Sequence, residues 1–78
     1  MDEQKVRIFP NPAHHSVTIE ANKNYRVEFY AVDGSLVLSR QMQQQTQTFD
    51  LSGLNPGIYT LRFKGEGNPF SGKLVIVP

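Results

Sequence analysis

The chain has 78 residues, a formal net charge of +1 and no cysteine. That is one small domain, expected to bury about 60% of its unfolded surface, with no disulfide staple, thiolate metal site or thiol nucleophile. A near-neutral total gives no electrostatic case for nucleic acid or an anionic membrane. No apolar run approaches the roughly 20 residues of a spanning helix, and the opening Met1-Asp2-Glu3-Gln4-Lys5 is no signal peptide. If the protein is exported, its export signal is expected upstream, and the chain is then a fragment of something longer.

Asp2-Glu3-Gln4 is polar with nothing to bury, so residues 1–4 read as a linker or lead-in and residues 5–78 as the domain. Residues 5–9 form a short strand with Val6 and Ile8 on one face. Pro10-Asn11-Pro12 stops it, because two prolines remove two donors and push Phe9 and Asn11 toward extended conformations. The result is a rigid bend of the kind found where a strand leaves one sheet for another. On these residues alone, a plain loop is the simpler reading. His14-His15 cannot chelate one metal from a strand, where neighbours face opposite ways, and in a loop the pair lacks further ligands. Solvated loop histidines are expected.

Residues 16–20 alternate, with Val17 and Ile19 against Ser16, Thr18 and Glu20, and residues 21–24 make a turn. Residues 25–31 alternate again: Tyr25, Val27 and Phe29 inward, Arg26, Glu28 and Tyr30 outward, with Arg26 and Glu28 as a surface pair. Asp33-Gly34 predicts a two-residue type I′ hairpin turn, which demands positive φ at both positions. In the return strand, residues 35–42, Leu36, Val37 and Leu38 run consecutively, so its facing stays open and an apolar spot should be left exposed. Residues 43–47 are polar and supply a loop plus the start of a surface strand ending in Phe49.

Residues 50–64 organise the rest. Pro56-Gly57 signals a type II turn, which Leu51 and Leu54 plug onto a core. A half-buried strand follows, with Tyr59, Leu61 and Phe63 inward and Ile58, Thr60, Arg62 and Lys64 outward. Residues 65–69 form a loop. Residues 71–77 are the last strand, with Leu74 and Ile76 facing one way and Lys73, Val75 and Val77 the other, before Pro78 ends it. About seven short strands at turn spacings of 8–12 residues, with no helix, predict an all-β antiparallel Greek-key sandwich of immunoglobulin-like type, with a small barrel as runner-up.

Chemistry is sparse. Asp2, Glu3, Glu20, Glu28, Asp33, Asp50 and Glu66 are scattered, and Asp33 and Asp50 have turn roles. His14 with Ser16 lacks both an orienting acid and an oxyanion loop. No catalytic, cofactor-binding or metal-ligating residues are assigned, and the chain is not expected to be an enzyme.

The segments V-R-I-F-P-N-P-A-H-H-S-V-T-I-E, V-E-F-Y-A-V-D-G-S-L-V and F-D-L-S-G-L-N-P-G-I-Y-T-L-R-F, followed by G-K-L-V-I-V-P, occur in one order from Val6 to Val77. Each is ordinary turn chemistry alone. Jointly they closely resemble the C-terminal sorting domain of the type IX (Por) secretion system of Gram-negative bacteria, type A family. The resemblance implies a cargo protein fused N-terminally, transit of the periplasm, passage through the outer-membrane translocon to the cell surface or medium, and removal by a sortase-like surface protease. It implies no small-molecule substrate and no direct membrane insertion.

Carried onto this chain, the motif positions are Pro10, Asn11, Pro12, Asp33, Gly34, Leu51, Leu54, Gly57 and Tyr59, with Lys73, Leu74, Val75, Ile76, Val77 and Pro78 as the sorting and docking segment. Two positions depart from the family pattern. Ala31 stands where an acidic or amide residue is common three before the hairpin glycine, and Pro78 stands where many members end in a basic or polar residue. Strand addition to a receptor sheet is one docking mode for the last strand. The rival is an accessory immunoglobulin-like or fibronectin-like binding or adhesion module, for which Tyr30, Phe70 and Phe9 are the candidate aromatic platform.

Overall fold

A computed structural model describes residues 6–65 and 67–78; Lys5, the expected first residue of the first strand, the 1–4 lead-in and Glu66 lie outside the described residues. Seven strands run in order: β1 (Val6–Phe9), β2 (Ser16–Ala21), β3 (Arg26–Tyr30), β4 (Leu36–Gln41), β5 (Thr46–Asp50), β6 (Gly57–Lys64) and β7 (Phe70–Ile76). They form a three-stranded sheet, β1-β2-β5, and a four-stranded sheet, β4-β3-β6-β7. All strand pairings are antiparallel. The chain changes sheet between β2 and β3, between β4 and β5 and again between β5 and β6, so β2 pairs with β5 and β3 with β6 across the sequence. That is the Greek-key sandwich the strand spacing predicts.

The period-2 pattern decides what is inside. Val17 and Ile19 of β2 and Phe49 of β5 meet Val27 and Phe29 of β3, Leu61 and Phe63 of β6 and Leu74 of β7 in one buried cluster. The rings of Phe29 and Phe49 cross the gap between the sheets with centroids 6.0 Å apart. Each fully buried Leu, Val or Phe contributes roughly 1.5–3 kcal/mol, the main support of a domain with no covalent cross-link. Gly72 is closely packed: a Cβ there would stand 3.1 Å from Cδ1 of Ile8, and that side-chain tip would have to give by a few tenths of an ångström.

Three local expectations fail, each for a physical reason. The β3–β4 hairpin is not a type I′ turn, because Gly34, at φ 91°, is the one residue between its strands with positive φ. Gly34 N–H donates to the Ala31 carbonyl at 2.9 Å and Ala31 N–H to the Ser35 carbonyl at 2.9 Å, closing a three-residue loop. Asp33 Oδ1 accepts from the Ser35 N–H at 3.0 Å and from its hydroxyl at 2.7 Å, so the aspartate is satisfied locally and only the glycine adopts the left-handed conformation. The type II turn at Pro56-Gly57 is also absent. Gly57, at φ 158°, already belongs to β6 opposite Ile76, and the hydrogen-bonded turn lies earlier, from Leu54 N–H to the Leu51 carbonyl at 2.9 Å.

Glu28 does not settle on Arg26. It accepts from the Tyr30 hydroxyl at 2.8 Å and lies 3.1 Å from Lys64 Nζ on β6, a diagonal cross-strand neighbour that reaches it more directly than the next outward residue of its own strand. Glu28 is thereby buried although it faces outward.

The open question in β4 is answered by a bulge. Phe29 pairs with Leu38 but Tyr30 with Leu36, so Val37 is the extra residue. Leu38 is half-buried against the core, while Leu36 and Val37 are 51% and 39% exposed, the apolar spot the sequence predicts.

Candidate functional site

The segment expected to dock is β7 with the two residues after it. Leu74 and Ile76 point into the core, as their alternation predicts, so they support the strand and offer a partner nothing. The side chains this segment turns outward are Lys73, Val75 and Val77. Ile58 of β6, 52% exposed, is the register partner of Val75 and extends the apolar spot on that face. Its outward placement and apolar character are both visible in the alternation of residues 58–64; its pairing with Val75 is not.

Pro10-Asn11-Pro12 is more than a loop. After leaving β1 of the three-stranded sheet, it lies along the free edge of β7 in the other one, which fits the sheet-changing bend rather than the simpler reading. The Asn11 amide imitates a peptide group: Nδ2 donates to the Lys73 carbonyl at 2.9 Å, and Oδ1 accepts from the Val75 N–H at 3.0 Å. Ala13, fully buried, continues the pairing. Its N–H donates to the Val75 carbonyl at 2.8 Å, and its carbonyl accepts from the Val77 N–H at 2.8 Å, making a parallel bridge to Ile76. His14 Nδ1 stands 3.1 Å from the Pro78 carbonyl oxygen, a donor when that nitrogen carries the proton.

Four successive edge groups of residues 73–77 are therefore already engaged, and strand addition along that stretch would have to displace Asn11 and Ala13. Nothing in the local sequence signals this, because Asn11 and its partners are 62 and 64 residues apart.

The other motif positions divide into two groups. Leu51, buried, donates its N–H to the His15 carbonyl at 2.8 Å, and Leu54 packs half-buried beside it. The Tyr59 hydroxyl donates to the Asn55 carbonyl, holding the chain as it enters β6. Gly57 and Tyr59 pair with Ile76 and Leu74, so these residues brace β7 from its other side. Asp33 and Gly34 are not brought into this corner, because their hairpin joins β4 and β3 at the opposite edge of the sheet.

Four ionisable groups are shifted by the hydrogen bonds they make. The backbone N–H and hydroxyl of Ser35 hold the Asp33 carboxyl below the usual range, and those of Ser52 do the same for Asp50. Glu28 is lowered by the Tyr30 hydroxyl first and Lys64 second, and Tyr30 is raised in turn by that carboxylate. No group of three or more His, Asp or Glu side chains able to hold a metal occurs among the described residues.

The three aromatic candidates of a binding platform do not share a surface. Phe9, on β1, lies under the Arg7 guanidinium at 5.0 Å. Tyr30 is tied to Glu28, and Phe70 stacks on Phe63 at 5.0 Å and meets Tyr25 edge-on at 5.2 Å.

A family model described as the secretion system C-terminal sorting domain matches residues 7–77. No curated protein matches the chain.

Proposed function

The chain belongs to the secretion system C-terminal sorting domain family, and from that premise we propose that it carries an N-terminally attached cargo protein through the type IX outer-membrane translocon. The cargo crosses the periplasm first and reaches the cell surface or the medium, where a sortase-like surface protease removes the domain. The observation that carries this reading is the clamp of Asn11 and Ala13 on β7. A sorting tag must keep its shape whatever cargo precedes it, and the clamp presents the last strand as a fixed relief rather than a loose tail.

In this reading the translocon recognises side chains, not a free backbone edge. Lys73, Val75 and Val77 are the contact residues, with Ile58 beside them. Fusing the 78-residue chain behind a periplasm-targeted fluorescent protein, in a bacterium with a working type IX system, tests it. Fluorescence at the surface or in the medium that requires the translocon is the expected result, and changing Lys73, Val75 and Val77 together to serine should trap the fusion in the periplasm while the domain still melts cooperatively. Translocon-independent trapping of the unmodified fusion would turn attention to the binding-module reading. Undiminished export of the triple variant would remove these residues from the contact.

A further inference from the structure

The outward faces of the two sheets carry different charge. On the four-stranded sheet, Arg26, Arg62, Lys64 and Lys73 stand on the outer side of β3, β6 and β7 with Glu28 as the only carboxylate there among the described residues, although the whole chain nets only +1. On the three-stranded sheet, Arg7 is answered by Glu20 at 2.9 Å, and Asp50 adds a further negative charge. We propose that the cationic end of the four-stranded face is a second interaction surface, and that it takes an extended acidic segment of a protein partner.

Three observations favour that occupant. Tyr30, Thr60, Arg62, Lys64 and Ser71 line one shallow depression; the Tyr30 O–H is given to Glu28, and the Thr60 and Ser71 hydroxyls stand beside two cations, a set of donors suited to carboxylates. The face already holds one carboxylate this way: Glu28 is drawn beneath the Tyr30 hydroxyl and the Lys64 ammonium until it is only 8% exposed. Arg62 makes no ion pair or hydrogen bond with any described residue, so its guanidinium is available.

The order along β6 points the same way. Lys64, Arg62, Thr60 and Ile58 follow one another outward at the two-residue strand repeat of about 6.8 Å. An extended peptide repeats its side chains at the same interval. Its complement is an acid, a second acid two residues on, a neutral position, then an apolar residue. A lipid surface would need no such order.

The test titrates the isotope-labelled 78-residue chain with a blocked heptapeptide bearing glutamate at positions 1 and 3, leucine at 7 and serine elsewhere, and follows backbone amide shifts. Shifts confined to β3, β6 and β7 and weakened by added salt are expected. Because one exposed charge pair contributes little, Arg62→Gln should weaken binding roughly threefold and Arg62→Glu about tenfold. Arg7→Gln, on the other sheet, should leave it unchanged, and thermal melts confirm that each variant folds.

Absence of shifts, shifts on β1, β2 and β5, or equal binding of a scrambled peptide of the same composition would overturn the proposal. So would binding to vesicles of phosphatidylglycerol and phosphatidylcholine without binding of the peptide, which would make the surface a membrane contact. The inference does not depend on export: a fusion trapped in the periplasm leaves the peptide result standing, and a failed titration leaves the sorting role standing.

Discussion

The four-stranded sheet has two edges, and they are protected in opposite ways. At the β4 edge, protection is by irregularity. Val37 bulges out of register, and Arg40, opposite the buried Val27, puts a charge on the side where a docking strand would need an apolar residue. At the β7 edge, protection is by occupation: Asn11 and Ala13 supply the missing pairing partner. The first device repels neighbours and costs little when altered. The second ties the start of the domain to its end, and damage there should propagate.

The largest expected contrast is between the residues that support each edge. Tyr59→Ala removes a buried ring opposite Leu74 together with its bond to Asn55, and should lower stability by about 3–4 kcal/mol. Leu36→Ala in β4, half exposed, should cost less than about 0.5 kcal/mol. Equal losses for the two in urea unfolding would break the contrast.

Asn11→Ala comes next. It leaves the Lys73 carbonyl and the Val75 N–H to water, for an expected loss of about 0.5–1.5 kcal/mol. Asn11→Asp keeps the acceptor and loses the donor, so it should fall between. Hydrogen exchange reads this directly, because the Val75 amide should lose protection in Asn11→Ala and keep much of it in Asn11→Asp. Unchanged protection in both would mean the clamp contributes nothing in solution.

The smallest effect is that of pH. Asp33, Asp50 and Glu28 have lowered values in the folded state. Their contribution is present above the unfolded carboxylate range, near pH 4, and is lost as pH falls through their folded values. Tyr30 is raised, so its contribution is present below about pH 10 and is lost as pH rises through its folded value. The Asn11 clamp has no titrating atom. On acidification, the Ser35 amide held by Asp33 should therefore lose protection while the Val75 amide keeps it, a comparison within one exchange experiment. Simultaneous loss would mean that the two edges unfold as a unit.

Local pattern carried the reading of this fold a long way, and it failed where information was not local. The alternation Tyr59-Leu61-Phe63 and Val17-Ile19 told inside from outside without error, because a one-residue slip would expose every apolar group in the strand. Asp33-Gly34 misled because that dipeptide suits both two- and three-residue loops, and here the glycine alone turns left-handed, as in the second kind. Pro56-Gly57 misled because the Tyr59 hydroxyl and the Leu51–Leu54 turn already shape that corner. Asn11 could not be understood from its neighbours, since the groups it satisfies come from the far end of the chain. The cationic face was hidden by the near-neutral total. Each of Arg26, Arg62, Lys64 and Lys73 reads as outward from its own strand, but only the order β3-β6-β7 makes them one surface.

The bond between Asn11 and residues 73–75 also sets a clock. A ribosome delivers Lys73 some sixty residues after Asn11, at roughly 5–20 residues per second. Until residues 70–77 exist, β6 lacks its β7 partner, and the edge-pairing groups of Asn11 and Ala13 are left to water. Residues 70–77 follow the other six strands, and they complete the four-stranded sheet and have its edge occupied together. A chain cut short before them can form its central strands but not this closure, so the finished shape doubles as a record that translation reached these residues.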